Sequence, residues 1–257
     1  MNIDAIPISV LFAATIFIMV IAFEAGLRLA WAHRRQEQEK EPPVSAIAGS
    51  ILGLVAFMLA FTFGIVTARY DARKELVRNE AVAISTAYLR ADFMSEPDRG
   101  KTKELFRKYV DLRLAMAQAT DASIIKKKME ETVLIQRQLW EMAVINARKD
   151  MNSDVAALYI ESVNTVRDLH ALRVAVIESR IPAGIWMVLY VLVILGMSGI
   201  GYQTAISGSR RSWATPILAL SFSLVIVMIA TLDRPQVHFI SVSQKPLADA
   251  RAEMEVK

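Results

Sequence analysis

The titratable side chains that could do chemistry are few and widely spaced in this chain. His170 has Arg173 three residues further on, and Glu161 and Asp168 are the nearest carboxylates before it. A metal site needs several imidazole, thiolate or carboxylate ligands at close spacing, and acid–base catalysis needs positioned partners. Neither arrangement occurs here, so a packed, hydrogen-bonded histidine is favoured over a metal ligand or a pH sensor.

The short motifs that mark common active sites are also missing from the sequence. It has no nucleophile elbow, no phosphate-binding P-loop, no zinc-protease helix and no glycine motif for dinucleotides. There is no Cys, which excludes disulfides, thiol chemistry and cysteine-ligated metals. The formal net charge is only +4, so nucleic acid is not an expected partner. The sequence predicts a protein that is not an enzyme and needs no cofactor.

The elements that carry these residues are helices, four of them apolar. Hydrophobic residues make up 54% of the 257, and the excess is concentrated in four blocks. A bilayer core requires about 20 mostly apolar residues in a helix. We therefore predict transmembrane helices at about 6–31, 44–68, 182–207 and 213–232. The fold class is expected to be all-α, with the lipid bilayer as the surrounding medium.

The segment between the second and third spans, residues 69–180, is predicted to be a long helical extramembrane bundle. The helix of the second span is expected to continue to about Met94, after which Ser95 and later Ser153 read as helix caps. Apolar stripes must bury against each other. The stripe expected on the third helix of this region consists of Ile125, Met129, Val133, Trp140 and Val144. Residues 233–257 form a C-terminal tail.

The distribution of basic residues predicts the orientation in the membrane. An even number of spans places both termini and the bundle on the same side. Basic residues in short loops tend to remain in the cytoplasm. Those of the two short loops are Arg28, Arg34, Arg35, Lys40, Arg210 and Arg211. This count favours an extracytoplasmic bundle, although Arg69, Arg73, Lys74 and Arg78 next to the second span argue against it.

The second span has two organised faces. Small residues recur every three or four positions and form a helix-packing ridge; they are Ala46, Gly49, Gly53, Ala56, Ala60 and Gly64. Phe57, Phe61 and Ile65 form an apolar stripe whose mean direction lies roughly 100° from the ridge. Small residues allow membrane helices to approach closely, so the ridge indicates a contact with another helix.

Two interpretations of these faces remain open. In the first, the ridge packs against a neighbouring helix, and the aromatic side chains face lipid or fill the interior. In the second, the ridge contacts a neighbouring subunit, and Phe57, Phe61 and Ile65 surround a symmetry axis as a pore constriction that gates by dewetting. Glu24 and Arg28 likewise read either as an interfacial ion pair or as a pore-facing charge.

The motif Asp233-Arg234-Pro235 follows the fourth span. The structural interpretation is a stop at the membrane edge, at which Arg234 reaches the interface, Asp233 pairs with it or caps backbone, and Pro235 ends the helix. The tail beyond it is expected to dock on the helical bundle rather than to bind a ligand.

Several stretches of the chain resemble the bestrophin-like bacterial membrane proteins, a family defined as a domain of unknown function. The matching stretches are residues 52–57, 69–73, 80–84, 88–90, 109–113, 139–140, 164–173, 232–235 and 242–247. The family-motif residues among them are Arg69, Arg73, Glu80, Arg90, Trp140, His170, Arg173, Asp233, Arg234 and Pro235. His238 departs from the family pattern, which has Gly there.

The resemblance implies a four-span protein of the bacterial cell (inner) membrane with a helical extramembrane part, and no established activity. True bestrophins are more distant; they are pentameric anion channels with apolar residues at i, i+4 and i+8 of the second span, and their helical part is cytoplasmic. The hypothesis is therefore a homo-oligomeric ion channel with a small ion as permeant. The alternative is a non-conducting, membrane-anchored helical sensor or interaction module.

Overall fold

The computed structural model describes residues 6–34, 44–207, 213–234 and 241–255, and these ranges are helical without any strand. The helices are α1 (Ile8–Arg34), α2 (Val44–Arg90), α3 (Asp98–Gln118), α4 (Ala122–Lys149), α5 (Asp154–Glu178), α6 (Ala183–Ile206), α7 (Ala214–Asp233) and α8 (Lys245–Glu253), with a short 3-10 helix at Ala91–Phe93. The predictions that concern Arg35, Lys40, Arg210, Arg211, Pro235 and His238 lie outside the described residues.

In the described ranges, four helical segments are long and apolar enough to cross a membrane. They lie within Ile8–Ala32, Val44–Phe93, Asp154–Ile206 and Thr215–Asp233. The prediction of an all-helical chain with four membrane-compatible helices is therefore confirmed. The chain divides into two compact units. The first unit comprises Met1–Arg69 and Arg180–Ile240, and the second comprises Tyr70–Ser179 and Ser241–Lys257.

The first unit is built on a very close approach of α1 and α6. A Cβ atom added to Gly26 would collide with the backbone carbonyl of Ser198, and one added to Gly201 would collide with the carbonyl of Phe23. The Ser198 hydroxyl donates a hydrogen bond across the same interface to the Ala22 carbonyl at 3.0 Å. Only glycine fits at the two crossing points, because any side chain would separate the helices.

The second unit has an apolar core to which the second half of α2, α3, α4, α5 and α8 all contribute. Its largest fully buried side chains include Ile84, Phe106, Leu139, Tyr159 and Leu247. Helical stripes from five segments therefore share one core, as expected for helices that bury their apolar faces against each other.

The C-terminal tail docks on the second unit through α8. Leu247 lies in the core, and the Met254 carbonyl accepts hydrogen bonds from the Tyr88 hydroxyl at 3.1 Å and from Arg107 Nη2 at 3.0 Å. The Arg251 guanidinium pairs with the Asp111 carboxylate at 2.7 Å. The tail is thus an integral part of the unit, which agrees with the docking interpretation.

One of the two predicted helix caps needs correction. The helix after Met94 begins at Asp98 rather than at a Ser95 cap, because the residue before a proline disfavours helical backbone and Pro97 follows Glu96. The Glu96 carboxylate instead accepts the Gly100 N–H at 3.2 Å. The Ser153 cap is confirmed, since its hydroxyl accepts the Ala156 N–H.

The apolar stripe predicted on α4 is displaced from the face that is buried. The buried positions are Thr132, Gln136, Leu139 and Ala143, whereas Val133 is exposed. This face of α4 contacts a cluster of polar side chains inside the second unit, described next. Gln136 therefore takes a buried position, from which its side chain hydrogen-bonds to that cluster.

Candidate functional site

A buried carboxylate, Glu80 on α2, is the centre of a polar network in the second unit. Its side chain has 0% exposure. The Tyr109 hydroxyl donates to Glu80 Oε1 at 2.8 Å, and Arg113 on the same helix, α3, places Nε 3.1 Å from Oε1 and Nη2 3.2 Å from Oε2. Arg173 on α5 donates from Nη1 to Oε2. One carboxylate therefore connects three helices.

The network extends outward from Tyr109 and Arg173. His170 Nδ1 lies 3.4 Å from the Tyr109 hydroxyl, and Gln136 Nε2 lies at the same distance from it. Because the single hydroxyl hydrogen of Tyr109 is directed at Glu80, its oxygen acts as acceptor toward the other two groups. His170 therefore carries a hydrogen on Nδ1. Arg173 Nη2 donates to the Gln244 side-chain oxygen at 3.2 Å. Through this bond the network also includes the segment before α8.

Burial and charge set the protonation states in this network. Burial by itself would raise the pKa of Glu80, but the positive charges of Arg113 and Arg173 outweigh it, so the pKa lies below its ordinary value. Burial, together with the charge of Arg113, lowers the pKa of His170 to about 4. The pKa of Tyr109 is raised by burial and by the Glu80 charge. At neutral pH the network holds an anionic Glu80 and a neutral His170.

The chemistry available to this network is structural. Two guanidinium groups and a hydroxyl already donate hydrogen bonds to the carboxylate oxygens of Glu80. These oxygens are therefore not open to a metal cation. Within the described ranges, no group of three or more His, Asp or Glu residues could hold a metal ion. The network joins α2, α3, α4, α5 and the tail. It brings together three of the sequence-predicted residues, Glu80, His170 and Arg173.

A second polar cluster, in the first unit, lies where three spans end. The Asp233 carboxylate pairs with Arg69 Nη1 at 3.3 Å and accepts the Ile181 N–H, just before α6, at 3.2 Å. Arg234 donates from Nη1 to the Ile6 carbonyl. Asp233 therefore caps backbone, which is one of the two alternatives given for the motif, and it also pairs with Arg69. A carboxylate near the start of α6 also suits the positive end of that helix dipole.

The remaining motif residues have separate local contacts. Arg90 Nη1 donates to the Leu158 carbonyl at 2.7 Å, and Trp140 lies against the Arg167 guanidinium, whose Cζ is 5.4 Å from the ring centroid. Arg73 is buried. In the first unit, Glu24 and Arg28 form an ion pair at 3.8 Å.

The apolar stripe of α2 is exposed on the single chain. Phe57 and Phe61 are 64% and 59% exposed, their rings stack with centroids 6.5 Å apart, and Ile65 is partly buried. The opposite side of the helix is the one that packs inside the unit, through Val55 and Leu59. This face of the helix is available to lipid or to another protein surface.

The small-residue ridge is exposed as well. A Cβ atom added to Gly49, Gly53 or Gly64 would have no atom within 4 Å, and the three ridge alanines are exposed; these are Ala46, Ala56 and Ala60. The glycines packed closely against another helix are instead on α1 and α6: Gly26 and Gly201 at the α1–α6 crossing, and Gly196 and Gly199 against Leu52 and Ala48 of α2.

Comparison with known proteins places these features in a family. The family model described as Bestrophin-like domain matches residues 9–247. The chain belongs to the bestrophin-like family. None of the curated proteins compared with this bestrophin-like chain is a match.

The solved structures that are similar to this bestrophin-like protein have the same fold at low sequence identity. One is a bacterial bestrophin homolog from Klebsiella pneumoniae carrying a single substitution, with a TM-score of 0.67, 11% identity, and coverage of 97% of this chain and 99% of that one. A second structure of a homolog from that organism has a TM-score of 0.63 and 14% identity, covering 97% and 96%. These similarities concern the fold.

Three members of the network around Glu80 are not among the motif residues singled out from the sequence. These three are Tyr109, Arg113 and Gln136, of which the first two lie in the family-matching stretch 109–113. The sequence feature that could have identified them is an arginine one helical turn after another inward-facing residue. Arg113 follows Tyr109 at i+4 on α3, and Arg173 follows His170 at i+3 on α5. Arginines on the inner faces of two helices call for a buried acid.

We expect Glu80→Gln to destabilise the second unit by about 3–5 kcal/mol, because Arg113 and Arg173 would remain buried without a counter-charge. Thermal unfolding of the purified protein in detergent, followed by circular dichroism, measures the effect. Glu75→Gln, at an exposed position of the same helix, is the matched control. Equal unfolding temperatures for the two variants would contradict the assigned role of Glu80.

The pKa of His170 predicts an acid-sensitive stability. The unfolded state binds a proton at about the ordinary pKa of 6.5, whereas the folded state binds it only near pH 4. The free energy of unfolding therefore falls as the pH is lowered from about 6.5 to about 4, by ~3 kcal/mol. Protonation of Glu80 acts in the same direction at still lower pH.

The variant His170→Asn should remove the part of this decline that lies between pH 6.5 and 4. Urea unfolding at a series of pH values measures it, with His33→Asn in the first unit as the control. A pH profile for His170→Asn identical to that of the unmodified protein would contradict the assignment.

Proposed function

We propose that this bestrophin-like protein forms a homo-oligomeric ion channel in the bacterial cell membrane, with the second span lining the axis. The observation that carries the proposal is the exposure of Phe57 and Phe61 on α2 in the isolated chain. A ring of such side chains around an axis makes an apolar constriction that controls ion passage by dewetting.

The geometry of α2 supports an assembly of several copies. At 3.6 residues per turn, the intrachain face around Val55 and Leu59 points roughly 130° away from both the aromatic stripe and the small-residue ridge. Each of these three faces of α2 therefore has a different environment. The intrachain face has its partners, the ridge suits a close contact with the next subunit, and the stripe is left for the axis. One copy of α2 cannot enclose a pore, so closed rotational symmetry is required.

The family supports the same reading. The structural relatives are described as bestrophin homologs, and true bestrophins are oligomeric channels. The positions of Phe57, Phe61 and Ile65 correspond to the i, i+4 and i+8 pattern of their second span. Nothing in the network around Glu80 suggests catalysis, so the proposed role is not enzymatic.

The second unit is proposed to be an extramembrane bundle that takes part in the assembly. It exposes the apolar side chains of Val82, Leu89 and Phe93 along one edge of α2 and the 3-10 helix. In water such an edge favours contact with another protein surface. A neighbouring copy of the same unit satisfies this need, and a different protein partner is the alternative in which the chain is a non-conducting sensor or interaction module.

The charge count favours the second unit and both termini on the extracytoplasmic side. Added protease should then cleave the second unit in right-side-out vesicles and leave it intact in inside-out vesicles. An epitope inserted between α1 and α2, within residues 35–43, should show the opposite protection. Cleavage of the second unit only in inside-out vesicles would place it in the cytoplasm, as in true bestrophins.

The aromatic stripe is tested by conductance. Phe57→Ala combined with Phe61→Ala should raise single-channel conductance severalfold in planar bilayers, because the apolar constriction becomes wider and easier to wet. Phe63→Ala is the matched control, since Phe63 lies on another face of the same helix and should leave conductance unchanged.

The channel proposal also requires an oligomer. The mass of the purified complex, from light scattering corrected for detergent, should be several times the 28.6 kDa of one chain. A monomer, or an oligomer that carries no current with or without the alanine substitutions, would favour the non-conducting interaction module.

A further inference from the structure

The exposed face of α2 changes its chemistry along the helix. α2 is continuous over Val44–Arg90, and at 3.6 residues per turn a step of 18 residues makes about five full turns. Glu75 therefore has the same angular position as Phe57, five turns further along. Asn79 repeats the position of Phe61 in the same way, and all four side chains are exposed. A line that begins with two aromatic rings thus continues with a carboxylate and an amide.

The other exposed charges of this part of α2 lie in a different direction. Lys74 forms an ion pair with Asp71 at 3.3 Å. Helical geometry places Asp71 and Arg78 within roughly 20° of the mean direction of the small-residue ridge. Glu75 lies roughly 50° from that direction and has no ion-pair partner among the described residues. Its carboxylate is therefore available to an ion that passes along the line of Phe57.

The spacing along α2 separates this carboxylate from the apolar constriction. At a rise of 1.5 Å per residue, Glu75 lies about 15 Å beyond Ile65 along the helix. In an assembly with rotational symmetry, each copy contributes one Glu75 at the same level, so the carboxylates form a ring. Rings of Asp or Glu side chains select for cations in channels, because they raise the local concentration of cations and repel anions.

We propose that Glu75 makes the pore of this protein selective for small cations over anions, with Asn79 offering an amide oxygen to the same ion one turn further on. The selectivity rests on the proposed channel function, because a single chain presents a single carboxylate. The aromatic stripe carries no charge, so the sign of the permeant ion is set by Glu75. This sign is opposite to that of true bestrophins, which conduct anions. The preference should weaken in concentrated salt, which screens charges beyond about 3 Å at 1 M.

The test is the reversal potential of the full-length protein in planar bilayers under a KCl gradient, which gives the permeability ratio of K⁺ to Cl⁻. The unmodified protein should favour K⁺. Glu75→Gln should lower the ratio severalfold, and Glu75→Lys should invert the preference. Arg78→Gln is the matched control, because it removes an exposed charge on the ridge side of the same helix and should leave K⁺ favoured. Thermal unfolding of each variant verifies that it is folded.

Because the sequence contains no Cys, the charge at this position can also be changed on the assembled protein. In Glu75→Cys, a negatively charged methanethiosulfonate reagent should restore the K⁺ preference, and a positively charged one should reverse it. Arg78→Cys treated in the same way should respond weakly. A current whose K⁺ to Cl⁻ ratio is unaffected by Glu75→Gln and by both reagents would overturn the role of Glu75 and leave the channel proposal intact. The absence of current from every variant would overturn both.

Discussion

The carboxylate of Glu80 determines how the second unit can be arranged. Two arginine side chains from different helices are removed from water there, and neither is tolerated in a core without an anion at hydrogen-bonding distance. Because Arg113 belongs to α3 and Arg173 to α5, both helices must keep their register relative to α2. Tyr109 and Gln136 extend the same requirement to α4, and Gln244 extends it to the tail. Apolar contacts supply most of the stability, while this network selects one packing among those that would bury similar area.

The first unit reaches a defined packing by different means. Inside a bilayer, helices gain little from leaving hydrocarbon for each other, so they associate through close contact. The crossing of α1 and α6 depends on Gly26 and Gly201, where backbone meets backbone. Polar groups appear at the ends of the spans, where Asp233 joins Arg69 to the chain just before α6. The unit thus leaves the glycine ridge and the aromatic face of α2 unused, and these surfaces carry the proposed assembly.

The sequence predicted the helical class and the four apolar spans because the thickness of a bilayer imposes a length that composition reveals directly. It failed where the interior is polar. The buried face of α4 contains Thr132 and Gln136, and a search for apolar stripes passes over such a face. Small residues also look alike in sequence: spacing alone does not distinguish the ridge on α2, which is exposed on the single chain, from the glycines of α1 and α6 that pack within it. Glu80, His170 and Arg173 were singled out, but only the structure brings them together.

The docking of α8 has a consequence for biosynthesis. Leu247 and Gln244 belong to the core and to the polar network of a unit whose other residues end at Ser179. At ribosomal speeds of about 5–20 residues per second, roughly 3–12 s separate the emergence of these two parts. The last two spans are made during that interval. The core of the second unit therefore closes only after α8 has been made, and a chain that stops before it leaves the core position of Leu247 unfilled.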